Sequence, residues 1–292
     1  MTSTRPRITV LDLIIGGLLA LVFGYVVYRV RIQLNYRWEW SALPQFIVRF
    51  DEHTGQWVPN YLLKGLLTTI RLSFWATVLA LVFGTLAGLA QVSRRLLARM
   101  LGRTYVELVR NLPPLVLIFI FYYFLSDQII PYLGIERLMD CCPAWTRRIF
   151  TLLLAPPEQA ANFCSALITL GLFEGAYIAE IVRGGIQSID IGQWEASAAL
   201  GFSWVQRMRY ILLPQAVRRI LPPLAGQFIS TIKDSAIVSV ISIQELTFQG
   251  MDLMASTYLN FEIWITVSLL YLCLTLPCSL AVARLERVMS RH

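Results

Sequence analysis

Six apolar runs, each close to the ~20 residues a helix needs to cross a bilayer, take up most of this chain. They are Leu11–Val30, Tyr61–Ala90, Thr104–Leu125, Phe163–Val182, Leu224–Thr247 and Phe261–Ala283. No other feature restricts the fold as much. In hydrocarbon every backbone N–H and C=O must find its partner within the protein, and runs of this length do so as helices. Composition agrees: 57% of residues are hydrophobic and only 15% charged, against roughly a quarter charged in soluble domains. The expectation is an all-α membrane protein with six transmembrane helices.

The net charge of +7 does not indicate nucleic acid. It comes from arginines scattered between apolar runs, without the aromatic interleaving of a base-reading surface. Arg94, Arg95, Arg99 and Arg103, then Arg207, Arg209, Arg218 and Arg219, then Arg284, Arg287 and Arg291 fall on one side of the six runs. The positive-inside rule makes that side cytoplasmic and places both termini there. The opposite loops, 31–60, 126–162 and 246–260, carry fewer basic residues for their length, and the last carries none.

The first run is the weakest. Arg5 and Arg7 before it are matched by Arg29 and Arg31 at its end, so its local charge bias is a tie. A signal peptide is the rival reading, but Asp12 stands at its start and Tyr28-Arg29 replaces a small-residue cleavage site. A retained anchor fits better, giving residues 1–60 as anchor helix plus external loop and 61–292 as the main transmembrane domain.

Between the fourth and fifth runs lies a basic, helix-forming island, GQWEASAALGFSWVQRMRYILLPQAVRRILPP, from Gly192 to Pro223. Pro214 and Pro222–Pro223 are expected to interrupt it. Its Glu195-Ala196-Ser197, three residues, Gly201, nine residues and Ile211-Leu212-Leu213-Pro214 resemble the "EAA" loop of ABC-transporter permeases, with Ser197 where the family pattern has Ala. AYIAEIVRGGIQSIDIGQWEA upstream, LPQAVRRILPPLAGQFISTIKDSAIVSVIS downstream and YVELVRNLPPLVLIFIFYYF at 105–124 extend the likeness to the polar-amino-acid branch, from about Leu62 onward.

That resemblance implies a type I importer core of five helices, so the first helix is an addition. It implies that two separate cytoplasmic ATPase subunits dock on the loop of about 184–222, chiefly at 192–214. The docking residues would be Gln193, Trp194, Glu195, Ala196, Ala199, Leu200, Gly201 and Phe202, with Trp194 and Phe202 burying aromatic area in the ATPase groove and Gly201 turning the chain. The other implied partners are a second permease subunit, identical or paralogous, and an extracytoplasmic solute-binding protein. The setting is the lipid bilayer of a bacterial inner membrane. The chain binds no cofactor in this reading: ATP and Mg belong to the partner ATPase. The sequence supports this, since neither of its two lysines, Lys64 and Lys233, stands in a phosphate-binding loop. Its two histidines, His53 and His292, lie outside the runs and suggest no metal site.

Charged and polar residues within the runs are the candidate cargo pathway. Arg71 and Glu174 both sit inside apolar sequence, where an ionisable group is a functional candidate by default. Together they can hold a zwitterion, or they can neutralise each other as a buried ion pair. Tyr177 lies one turn from Glu174. Asn111 and Pro113, in Asn111-Leu112-Pro113-Pro114, predict a bend beside the pathway, because paired prolines break the hydrogen-bond ladder. Gln227, Lys233 and Asp234 form either a gate with local unwinding or a polar patch locking two helices. Glu180 and Arg183, three residues apart, predict a surface pair. Gly84 and Gly88 allow a close helix approach, within the chain or between copies. Cys141 and Cys142 fall in an external loop where a disulfide is chemically possible. The competing function is an ATP-independent secondary carrier or channel, which leaves the island unexplained.

Overall fold

The computed structural model describes residues 10–33, 36–53, 55–126 and 143–289, with Gln128, Ile130, Tyr132 and Gly134 between them. Cys141 and Cys142 lie outside the described residues. A first unit, up to Trp40, holds helix α1 (Val10–Gln33), apolar over Val10–Tyr25. The second unit begins at Ser41. It opens with a short helix α2 (Leu43–Ile47) and an antiparallel hairpin of β1 (Val48–Asp51) and β2 (Gln56–Pro59), with Phe50 paired to Trp57. The Asn60 N–H donates to Ile47 O at 2.9 Å, tying the hairpin to the start of the next helix.

Helix α3 (Tyr61–Gln91) is a single 31-residue element and lies against α7 (Ala160–Gln187) along much of its length. Glycines allow that contact. A Cβ on Gly84 would come within 2.6 Å of Ile178 Cβ and 2.7 Å of Gly175 O, and one on Gly88 within 2.8 Å of Ala179 O. These are distances that real Cβ atoms do not show, so the two glycines serve packing within the chain. Around this pair Leu72, Ala76, Phe163, Leu170, Phe173 and Ala176 are buried, forming one part of the core.

The run expected at 104–125 is not one straight span. Helix α4 (Leu96–Asn111) ends at Leu112, and α5 (Pro114–Ile120) starts again at a bend of 119° before continuing as a π-helical turn, Phe121–Ser126. Pro114 supplies no donor and holds Pro113 in extended backbone. The predicted bend is therefore present, but it divides the run. A further helix, α6 (Ala144–Leu153), leads towards α7.

Two other expectations need correction. Pro214 and Pro222–Pro223 do not close the island: all three lie within α10 (Leu213–Asp234). Pro214 follows directly on a π-helical turn, Met208–Leu212, so the widened ladder there accommodates its missing N–H, and the helix absorbs the two lost bonds at Pro222–Pro223. The fifth run also does not continue to Thr247. At Asp234 the α-helix gives way to a 3₁₀ segment, Ser235–Ile241, and a new helix, α11 (Leu246–Thr257), occupies the expected loop 246–260. Glu245 caps it, accepting from Thr247 N at 2.9 Å and Phe248 N at 2.7 Å. The last helix is α12 (Asn260–Met289).

Among the described residues, four helical stretches are long and apolar enough to cross a membrane: Tyr61–Gln91, Pro157–Gln187, Trp204–Ile241 and Asn260–Arg287. Counting the bent α4–α5 pair as one span makes five. The chain is thus a multi-span helical protein, with four such spans, or five with the bent pair, among the described residues.

Candidate pathway and docking loop

The island folds as two short helices rather than one. Asp190 caps α8 (Ile191–Ala199), its carboxylate accepting from Gly192 N at 2.6 Å. The helix ends in a Schellman motif: Phe202 N donates to Ser197 O at 3.2 Å, Gly201 N donates to Ala198 O at 3.0 Å, and Gly201 adopts φ +77°. Nothing lies within 4 Å of a Cβ added to Gly201, so its requirement is conformational and not steric. Ser203 then starts α9 (Trp204–Arg207) with a capping box closed by Gln206. A π-helical turn, Met208–Leu212, joins this to α10.

Of the expected docking residues, Gln193, Glu195, Ala196, Ala199, Leu200 and Gly201 are exposed. Trp194 is half-buried against its own chain, in a cluster with Met208, Leu212 and Ile186, so its aromatic surface mainly fixes the loop. Phe202 is half-buried too. The large exposed apolar groups are instead Ile191, Leu200, Val205 and Tyr210, of which the sequence reading singled out only Leu200. Ser197 is buried and donates to Trp194 O at 2.9 Å, which keeps its hydroxyl satisfied where the resembled pattern has Ala. Arg219 donates to the Ser188 carbonyl, and Gln215 Nε2 donates to Gln193 Oε1 at 3.3 Å, so the base of α10 is fastened to both ends of the turn into α8.

The second assembly lies where α7 meets α10. Glu174 is fully buried. Gln227 Nε2 donates to its Oε2 at 2.7 Å, and Thr231 and Asp234 stand near the same carboxyl on the next turns of α10, with the Thr231 hydroxyl donating to Gln227 O at 3.0 Å. Tyr177 follows one turn along α7, edge-on to Phe173 at 5.3 Å between ring centroids. Arg110, in the last turn of α4, lies over the Tyr177 ring at 5.8 Å and reaches Glu180 at 3.3 Å. Glu180 is shared with Arg183, as the spacing predicted, through contacts of 2.6 and 3.0 Å.

Glu174, Tyr177, Gln227 and Asp234 are thus brought together, with Arg110 and Thr231 as the members the sequence reading left out. For the former the available signal was its place in the 105–124 stretch that carries the family likeness. Arg71 does not join them. It lies half-buried on α3 beside Phe74, Trp75, Phe228 and Leu274, in an apolar groove of about 260 Å³, and no ion pair links it to Glu174. Lys64, seven residues earlier and so on the same face of α3, is exposed. Asn111 donates to Glu107 O and Oε2 at 2.8 and 2.9 Å on its own helix. Pro113 forms the bend, and Lys233 is exposed.

Chemically, the assembly offers a cationic group two carboxyls, one of them with its Oε1 unpartnered inside the protein, while amide, hydroxyl and phenol groups stand close by. None of these groups forms a nucleophile–base pair.

Comparison with known proteins gives a consistent result. The model of the family described as "Binding-protein-dependent transport system inner membrane component" matches residues 80–291. The chain is 35% identical over 223 residues to the glutamine transport system permease protein GlnP of Escherichia coli (strain K12), covering 75% of this chain and 90% of that protein. It is 34% identical over 216 residues to the probable glutamine ABC transporter permease protein GlnM of Bacillus subtilis (strain 168), covering 73% and 87%. Among solved structures, one titled "Crystal structure of an amino acid ABC transporter with histidines" superposes with a TM-score of 0.64 at 28% identity, over 86% of this chain and 99% of that one.

Proposed function

Because this chain belongs to the family of inner membrane components of binding-protein-dependent transport systems, we propose that it is the permease subunit of an ATP-binding-cassette importer for polar amino acids. Cargo arrives on an extracytoplasmic binding protein. Two ATPase subunits dock on the 192–214 loop and carry the ATP and Mg, so this chain transports without catalysing. A second permease, identical or paralogous, completes the pathway, and the loop-bearing end faces the cytoplasm of a bacterial cell.

The observation that carries this reading is the build of α8. A short helix between two long ones, capped by Asp190 at one end and Gly201 at the other, exposes Ile191 and Leu200 on a base held by Trp194 and Arg219. Such a helix can take up force from a partner and pass it to α7 and α10, which hold Glu174, Gln227 and Asp234. ATP-driven approach of two copies then alternates access to these residues. The cargo's ammonium is placed at Glu174 and Asp234. An ATP-independent carrier has no use for the docking loop.

The test is uptake by proteoliposomes holding the chain with its genetically linked ATPase and binding protein. The expected result is accumulation of radiolabelled L-glutamine that needs both ATP and the binding protein. Uptake without ATPase, driven by an ion gradient, would replace this reading with the secondary carrier.

A further inference from the structure

Below the Glu174 assembly, at the end of the bundle that carries the docking loop, α4 and α7 enclose a polar cleft of about 260 Å³. Arg99, Arg103, Glu107 and Arg110 line it from α4, spaced four, four and three residues apart and hence on one face. Glu180 and Arg183 line it from α7. Four guanidiniums meet two carboxylates, an excess of two positive charges. Glu180 is committed to Arg183 and Arg110. Glu107 meets Arg103 only at 3.9 Å, with both side chains exposed, and Arg99 enters no ion pair among the described residues.

Helix α4 presents three different faces. Gly102, Val106 and Val109 are buried. The arginines follow around the helix, with the exposed Leu96 and Met100 on and beside their face, while Leu97, Leu101 and Leu108 stand exposed on the far side. A cation-lined cleft that opens directly onto an exposed apolar strip suits a molecule with an anionic head and an apolar tail. We propose that this cleft binds the phosphate of an anionic phospholipid, with Arg99 and Arg103 on the phosphate oxygens and the acyl chains along Leu96 and Met100. Guanidinium forks match phosphate geometry. A free phosphate shares the head chemistry but leaves the strip uncovered. Since α7 runs from this cleft into α8, a bound lipid braces α4 against the helix that leads to the docking loop.

The full complex, purified and placed in nanodiscs of phosphatidylcholine with added phosphatidylglycerol, tests this by native mass spectrometry. The wild type is expected to retain phosphatidylglycerol, and Arg99→Gln with Arg103→Gln to weaken retention at least about tenfold. Arg94→Gln with Arg95→Gln, on the exposed turn outside the cleft, serves as the control for diffuse attraction to the surface and is expected to retain it. Equal loss in both double variants, or no loss in either, overturns the proposal. So does protection of the cleft by inorganic phosphate in phosphatidylcholine alone, or displacement of the lipid by L-glutamine, which would make the cleft a cargo station. Lipid retention is read without transport, so its outcome is independent of whether the importer reading holds.

Discussion

At the scale of single residues, Glu174 and Arg71 looked equivalent in the sequence and are not. Glu174 is enclosed at the α7–α10 contact with Gln227 at 2.7 Å, whereas Arg71 lies in an apolar groove on α3. Replacing Glu174 by Gln is expected to lower ATP-dependent uptake at least about tenfold, the loss of one charge-assisted contact to cargo. Replacing Arg71 by Gln is expected to leave uptake within about twofold. Initial rates in proteoliposomes, normalised to inserted protein, check both, and the reverse order would contradict the assignment. The sequence could identify each as an ionisable group among apolar residues, since that follows from identity and position alone. It could not orient them, because which side of a helix faces the bundle depends on neighbours distant in sequence.

At the scale of elements, the positions of helices were legible wherever a long apolar run coincided with one helix, as in α3, α7 and α12. Breaks within a run were harder to place. A proline's effect depends on whether its missing N–H would have had a partner. Pro114 restarts a helix at a sharp bend, while Pro214 is accommodated next to the π-helical turn Met208–Leu212 and Pro222–Pro223 are absorbed. Helix α11 was missed because it is only 12 residues long and contains Gly250. Its start is specified by Glu245, which also accepts from Tyr271 at 2.8 Å. Glu245→Ala removes a cap and leaves buried donors unmatched, and is expected to cost about 2–4 kcal/mol. A lower thermal midpoint of the purified protein checks it.

The turn at Gly201 gives a sharper test of the docking loop. With φ +77°, a β-branched side chain there costs about 1–2 kcal/mol or more, while Asn tolerates the left-handed region. Gly201→Val is expected to abolish uptake and ATPase co-purification without preventing membrane insertion, and Gly201→Asn to retain most of both. Equal behaviour of the two variants would show that the turn itself is not what the partner needs.

For the whole molecule, the proposed sidedness rests on arginine distribution, and the hairpin and the docking loop are its opposite markers. In a background without the native cysteines, Leu200→Cys and Trp57→Cys are both at exposed positions. A membrane-impermeant maleimide applied to intact spheroplasts is expected to label the second and not the first, with labelling of the first appearing only after permeabilisation. Labelling of Leu200→Cys from outside would invert the arrangement and place the loop beyond reach of any cytoplasmic ATPase.

The glycine seam between α3 and α7 limits how such a molecule can open. With backbone atoms this close at Gly84, Gly88 and Gly175, neither helix can roll or slide along the other without steric collision, so the two form a fixed post. Alternation has to be accommodated by swinging parts attached at joints: the elbow at Leu112–Pro113 and the change of helical pitch at Asp234–Ser235.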